Sequence, residues 1–163
     1  MDFTIGVITV SDKGSEGKRE DTSGPLIEEM LKCIGGVLKE YIIVADEKEE
    51  IIKALKYMSD EANIDIVFTT GGTGFSSRDI TPEATLDVIE KLAPGISEAI
   101  RMRSLDITPK AMLSRAVSGI RKKTLIINLP GSPKGVKESL EIVMPALSHG
   151  IGILKGTEGE CGG

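Results

Sequence analysis

Residues 69–79 read TTGGTGFSSRD and gather more reactive chemistry than any other stretch of the chain. Gly71, Gly72 and Gly74 let a backbone approach a ligand closely and turn its N–H groups toward an anion. Thr73, Ser76 and Ser77 add hydroxyls, and Arg78 adds a fixed positive charge. A tight turn after a strand also uses glycine, but one or two residues suffice for that. Asp79 stands two residues before Thr81, which is placed to cap a helix whose first residue is Pro82. Asp79 is therefore free to face a ligand. Asp46 is ambiguous: with Glu49 it matches a capping box, the bland reading, yet it ends a strand where a second carboxylate would help hold Mg²⁺ against phosphates. Residues 128–135, NLPGSPKG, put Ser132 at a helix start, with Pro133 at the first position and Lys134 beside it. That suits phosphate at a helix N-terminus and equally suits a well-made helix start. The twelve residues Ser11 to Thr22 exceed the usual length of a strand-to-helix loop and carry Asp12, Lys13, Lys18, Arg19 and Asp21. Function and solvated surface remain equal readings there.

These residues need a frame. FTIGVITV at 3–10, residues 37–45 and IDIVFTT at 64–70 read as buried strands. Between them lie two amphipathic helices. One is capped by Ser23 or Gly24 and carries Leu26, Ile27, Met30, Leu31 and Ile34; the other starts at Asp46 and carries Ile51, Ile52, Leu55, Met58 and Ala62. Further helices are expected from Thr81, over 96–105 and over 134–149. Residues 116–120 and 124–129 read as a hairpin turning at Arg121, Lys122 and Lys123. The expectation is a three-layer α/β/α domain over 1–155, with a mainly parallel sheet containing one antiparallel strand. Residues 156–163 form a polar, glycine-rich tail. Such sheets bind ligands at the carboxyl ends of their strands, which selects the loops after residues 10, 45, 70 and 129.

Composition narrows the classes. The net charge is −5, Trp is absent, and only three Phe and two Tyr occur, so neither a nucleic-acid partner nor an anionic membrane is expected. No apolar run reaches the roughly 20 residues of a membrane helix and no signal peptide is visible, which points to the cytoplasm. Cys33 and Cys161 are far apart and His149 is the single histidine, which argues against zinc and leaves a hard, oxygen-bound ion such as Mg²⁺. Neither phosphate-binding pattern GxxxxGK[ST] nor GxGxxG occurs.

In this order the motifs resemble the MogA/MoaB family of molybdenum cofactor biosynthesis. The matching stretches are ITVSD at 8–12, VADE at 44–47, TTGGTGFSSRDITPEAT at 69–85, PGISE at 94–98, AMLSRAVSGIR at 111–121 and TLIINLPGSPKG at 124–135. The likeness is closer to the adenylyltransferase branch, which includes the gephyrin G domain, than to a stand-alone binding module. It implies transfer of AMP from Mg·ATP to the terminal phosphate of molybdopterin, with release of pyrophosphate. It also implies a homotrimer and hand-over of the product to a molybdate-inserting enzyme. A non-catalytic molybdopterin-binding or scaffold domain of the same pathway is the alternative. By position, Asp46 and Asp79 match the essential carboxylates and the Mg²⁺ ligands, which reverses the capping reading of Asp46. Gly71, Gly72, Thr73 and Gly74 match the substrate loop, with Ser104 and Ser114 on the pterin side. Asn128, Pro130 and Gly131 match the nucleotide side, Ser11 and Asp12 line the same cleft, and Ser132 and Lys134 adjoin it.

Overall fold

A computed structural model describes residues 2–158 of the chain. Strands β1 (Phe3–Val10), β2 (Gly36–Val44), β3 (Ile66–Thr70), β4 (Lys91–Leu92), β5 (Ser118–Arg121) and β6 (Thr124–Leu129) form one sheet in the order β2-β1-β3-β6-β5-β4. β1 pairs in parallel with β2 and β3, and β3 pairs in parallel with β6. β5 runs antiparallel to both β6 and β4, so it is the one reversed strand, as the sequence led us to expect.

The parallel strands are apolar on both faces because helices cover both faces. Phe3, Ile5, Val7, Ile66, Phe68, Leu125, Ile127 and Leu129 point to one side. There they meet α2 (Ser23–Lys32), α5 (Pro94–Leu105) and α6 (Pro133–Lys155). Ile8, Val10, Val67 and Ile126 point to the other, against α3 (Lys48–Lys56) and α4 (Thr81–Val88). Alternate residues of one strand thus feed two cores, each fully buried Ile, Leu or Phe contributing about 1.5–3 kcal/mol. The short helix α1 (Asp12–Ser15), a π-helical turn at Tyr57–Glu61 and a 3₁₀ turn at Pro109–Leu113 complete the elements.

Several local expectations are corrected. α2 starts at Ser23 without a cap from its own neighbour; instead the Asp21 carboxylate accepts from the Ser23 and Gly24 N–H groups at 3.1 and 3.3 Å. α5 begins at Pro94 rather than 96, since proline fits the first position of a helix. α6 runs six residues past His149 and ends on Gly156, whose φ of 74° makes the left-handed cap. Ser132 caps α6 as expected, accepting from the Gly135 N–H at 3.1 Å. Cys161 lies outside the described residues.

The chain moves from β1 outward to β2, then returns to place β3 on the other side of β1. The reversal opens a crevice beyond the carboxyl ends of β1 and β3, where Ser11 and Gly71 emerge.

Candidate functional site

The loop after β3 is folded by its glycines. Gly71 and Gly72 have φ of 92° and 69°, and a Cβ on Gly71 would stand 2.5 Å from the Val10 carbonyl oxygen. Only glycine lets the loop lie flat against the end of β1. Thr81 fastens the turn: its hydroxyl donates to the Gly71 carbonyl at 2.9 Å and its N–H to the Gly72 carbonyl at 3.1 Å. Thr81 is therefore the first residue of α4 and not its cap, and α4 starts with no side-chain cap.

Asp79 turns back onto the same loop. Its Oδ2 accepts from the Gly74 and Ser76 N–H groups, both at 3.0 Å. Asp46 reaches the loop from the end of β2, and a Cβ on Gly72 would lie 3.4 Å from its Oδ1. The capping box does not form. α3 starts at Lys48 without a side-chain cap, and the Asp46 carboxylate instead accepts from the Asp12 N–H at 2.8 Å. Asp12 returns the bond, its Oδ1 accepting from the Asp46 N–H at 2.9 Å. Three carboxylates thus crowd one loop. Burial, reinforced by the charges of Asp12 and Asp79, raises the Asp46 carboxyl above its ordinary range. Arg78 relieves part of this charge. It forms a two-pronged bond to Asp12, with Nε and Nη2 each 3.0 Å from an oxygen, and reaches Glu47 at 2.8 Å. The Arg78 bond is the main reason the Asp12 carboxyl lies below its usual range.

Two cavities flank the loop. The smaller, about 320 Å³, is bounded by Ser11, Gly71, Gly131 and Ser132, with Arg19, Asp21 and Thr22 from the long loop. The Asp21 carboxylate forms its floor, bonded to the Thr9 hydroxyl at 2.9 Å and to the Tyr41 hydroxyl. Burial and that carboxylate push the Tyr41 phenol up to about 12. The larger cavity, about 500 Å³, is bounded by Thr73, Gly74, Ser104, Ser114, Pro130, Ser132 and Lys134. Arg101 and Lys110 add cations to its wall, and Ile100, Ile107 and Leu113 make it partly apolar.

The structure therefore brings together almost every residue marked in the sequence, though not all in one hollow. Asp12, Asp46, Gly72 and Asp79 line neither cavity; they form a ridge along the loop that gives Gly71 to the smaller cavity and Thr73 and Gly74 to the larger. The residues of the nucleotide side divide, Gly131 falling to the smaller cavity and Pro130 and Asn128 to the larger. Asn128 is fully buried and its carboxamide is already engaged. It donates to the Thr69 and Thr85 hydroxyls at 2.9 Å each and accepts from the Val117 N–H at 3.2 Å.

Arg115 is the residue that sequence reasoning passed over. Its N–H donates to the Thr73 carbonyl at 2.9 Å, Nε to the Gly74 carbonyl at 2.8 Å and Nη2 to the Asp79 carbonyl at 3.0 Å, while Nη1 pairs with Glu83. One guanidinium thus clamps both ends of the carboxylate loop. The signal was present in AMLSRAVSGIR, where Arg115 has no local partner to explain it.

Among the described residues, no three His, Cys, Asp or Glu side chains group as a metal cage. Asp46 and Asp79 nonetheless offer hard oxygen to an ion that takes its remaining ligands from phosphates and water, the usual habit of Mg²⁺.

Residues 6–149 match the family model described as "Probable molybdopterin binding domain". The chain is 49% identical over 154 residues to a molybdopterin adenylyltransferase of Helicobacter pylori, covering 93% of this chain and 88% of the relative. Its fold is similar to the crystal structure of the molybdopterin biosynthesis enzyme MoaB of Thermus thermophilus. The TM-score is 0.88 at 46% identity, over 94% of this chain and 97% of that one. It is also similar to the tungsten cofactor synthesizing protein MoaB of Pyrococcus furiosus, with a TM-score of 0.83 at 41% identity over 95% and 96% of the two chains.

Proposed function

From the chain's membership of the molybdopterin-binding domain family, we propose that this protein is a molybdopterin adenylyltransferase of molybdenum cofactor biosynthesis. It transfers AMP from Mg·ATP to the terminal phosphate of molybdopterin, giving adenylyl-molybdopterin and pyrophosphate. The observation that carries this reading is the ridge on which Asp46 and Asp79 meet the glycine loop, with a cavity on either side.

The difficulty of the reaction is electrostatic, because both reactants are anions. The molybdopterin phosphate is itself the nucleophile, so no general base is required. The larger cavity suits the pterin: its apolar wall fits a flat ring, and Arg101, Lys110 and Lys134 offer charge to a phosphate. The smaller cavity lies against Ser11 and Gly131 and suits the nucleotide. The loop N–H groups and Arg115 fix where the two phosphoryl groups meet, which is the positioning this chemistry needs. Mg²⁺, held by Asp46 and Asp79, would offset the mutual repulsion of the substrates and the negative charge that already burdens Asp46.

Assembly and setting are part of the proposal. The edge strand β4, the helix α5 and the 3₁₀ turn packed against α5 expose Leu92, Met102, Leu105 and Met112. Scattered apolar residues are ordinary, but a run of them along one sheet edge suits the homotrimer that the family resemblance implies. Among the described residues no helix is long and apolar enough to cross a membrane, and every reactant is water-soluble, which suits the cytoplasm. The product would pass to a molybdate-inserting enzyme.

The test is incubation with Mg·ATP and molybdopterin and measurement of pyrophosphate. Stoichiometric release that needs all three components is expected. Pterin binding with no pyrophosphate would sink the enzymatic reading and leave a scaffold domain.

A further inference from the structure

A second charged hollow lies at the far end of the sheet. It has a volume of about 430 Å³ and is bounded by Ser59 and Asn63, the start of β3 at Asp65, the β5–β6 turn at Lys122 and Lys123, and Lys155 at the end of α6. The ridge with Asp46 and Asp79 stands beyond the opposite ends of β3 and β6, which run in parallel. Five strand residues, roughly 17 Å at about 3.3 Å each, separate the two regions.

Its charge is unbalanced. Asp60 is shared by Arg121, with Nη2 at 2.6 Å, and Lys122, at 3.1 Å. Asp65 pairs with Lys155 at 2.9 Å and also accepts from the Thr4 N–H and hydroxyl at 2.8 and 3.0 Å. Lys123 has no ion pair among the described residues. Three lysines, Lys122, Lys123 and Lys155, therefore line the hollow against the one carboxylate of Asp65, in a chain whose overall charge is −5. A separate observation points the same way. Ser59 is 3% exposed and lines this hollow, and its Oγ has no hydrogen-bond partner. A buried hydroxyl left unbonded is costly unless a ligand completes it.

We propose that this hollow is an oxyanion site for a phosphate or pyrophosphate group, separate from the catalytic ridge. Lys123 and the outer faces of Lys122 and Lys155 supply charge, and the Ser59 hydroxyl donates to one anion oxygen. The ammonium groups are open to solvent, so the site selects charge and size, with half-saturation on the order of 1 mM.

Residue-resolved amide NMR of the whole chain, titrated with inorganic pyrophosphate, tests this. Saturable shifts are expected at Ser59, Asn63, Lys122, Lys123 and Thr124, alongside any at Gly71 to Gly74. A parallel AMP titration distinguishes a free oxyanion, which moves these amides alone, from a nucleotide-borne phosphate, which moves them too; either supports the site. Ser59→Ala and Lys123→Ala should each weaken the far-edge response about 10-fold, the lower end of what one hydrogen bond to a charged group contributes, and spare the glycine loop. Ser59→Ala should cost no thermal stability without the anion, because it removes an unbonded polar group. The proposal fails if the far-edge amides stay still, if sodium chloride at matched ionic strength moves them equally, or if both variants keep the wild-type titration.

Discussion

Asp79→Asn separates charge from architecture at this site. The Oδ2 of Asp79 accepts from the Gly74 and Ser76 N–H groups at 3.0 Å each. An asparagine can accept both with its single carbonyl oxygen, so the loop keeps its shape and loses only its negative charge. A bond to a charged acceptor contributes about 1 kcal/mol more than one to a neutral acceptor. Two such bonds on a half-buried, solvent-screened loop then cost about 1 kcal/mol together, a fall of roughly 2–4 °C in Tm for a chain of this size. Catalysis should suffer far more. Removing one preorganised electrostatic group costs about 10²–10³ in turnover, or about 2.7–4 kcal/mol of barrier. We expect kcat for pyrophosphate release to fall at least ~100-fold, with a higher Mg²⁺ requirement. The assay is steady-state pyrophosphate release over a Mg²⁺ titration, beside a thermal melt. Turnover within a few fold of wild type would refute the role given to Asp79. A Tm loss above roughly 10 °C would show instead that the carboxylate is structural.

Asp46→Asn should also stop turnover while leaving the protein as stable as wild type, or more so, at neutral pH. The folded-state pKa of Asp46 is raised, so its favourable contribution is complete below the ordinary value of 3.8 and is lost as pH rises through the folded value. Melts from pH 4 to 8 should therefore show the variant gaining on wild type as pH rises; a gap that does not change with pH contradicts this. Gly71→Ala should cost about 3 kcal/mol or prevent folding, because a residue with φ of 92° would press its Cβ to 2.5 Å from a backbone oxygen. Denaturant melts would show it, and an undisturbed midpoint would be incompatible with the described loop. Arg115→Lys keeps the charge but cannot bond the Gly74 and Asp79 carbonyls together, so kcat should drop at least ~10-fold with little change in pterin affinity. Free guanidinium should partly restore Arg115→Ala, and equal loss of binding and turnover without rescue would point to general unfolding.

The fold was legible because its signals are local and repeated. FTIGVITV marked β1 from Phe3 to Val10 and TLIINL marked β6 from Thr124 to Leu129, since a buried strand must be apolar on both faces. The two-residue strand β4 and the turn at 109–113 are too short to carry a period, and they went unread, whereas 57–61 was read as the continuation of the helix through Met58 and Ala62 and widens instead into a π-helical turn. The glycine loop announced itself by residue type, whereas Arg115 did not, because its partners lie 32 to 42 residues earlier along the chain.

Misread caps are informative in a different way. Asp46 lies one residue before the cap position of α3 and Thr81 one residue after that of α4, which fall on Glu47 and Ile80, and both side chains are turned elsewhere, Asp46 to the Asp12 N–H and Thr81 to the Gly71 carbonyl. Both α3 and α4 consequently start uncapped, at roughly 1 kcal/mol apiece. A further cost falls on Asp46, held partly buried beside Asp12 and Asp79. A chain selected for stability alone would cap both helices and disperse the carboxylates. That the local rules fail at these two positions, both bordering the glycine loop, is what a site built to hold charge requires. The instability should be relieved by whatever positive charge the ridge binds. Mg²⁺ should therefore raise the Tm of wild type measurably and that of Asp46→Asn much less; equal shifts in both would place the ion elsewhere.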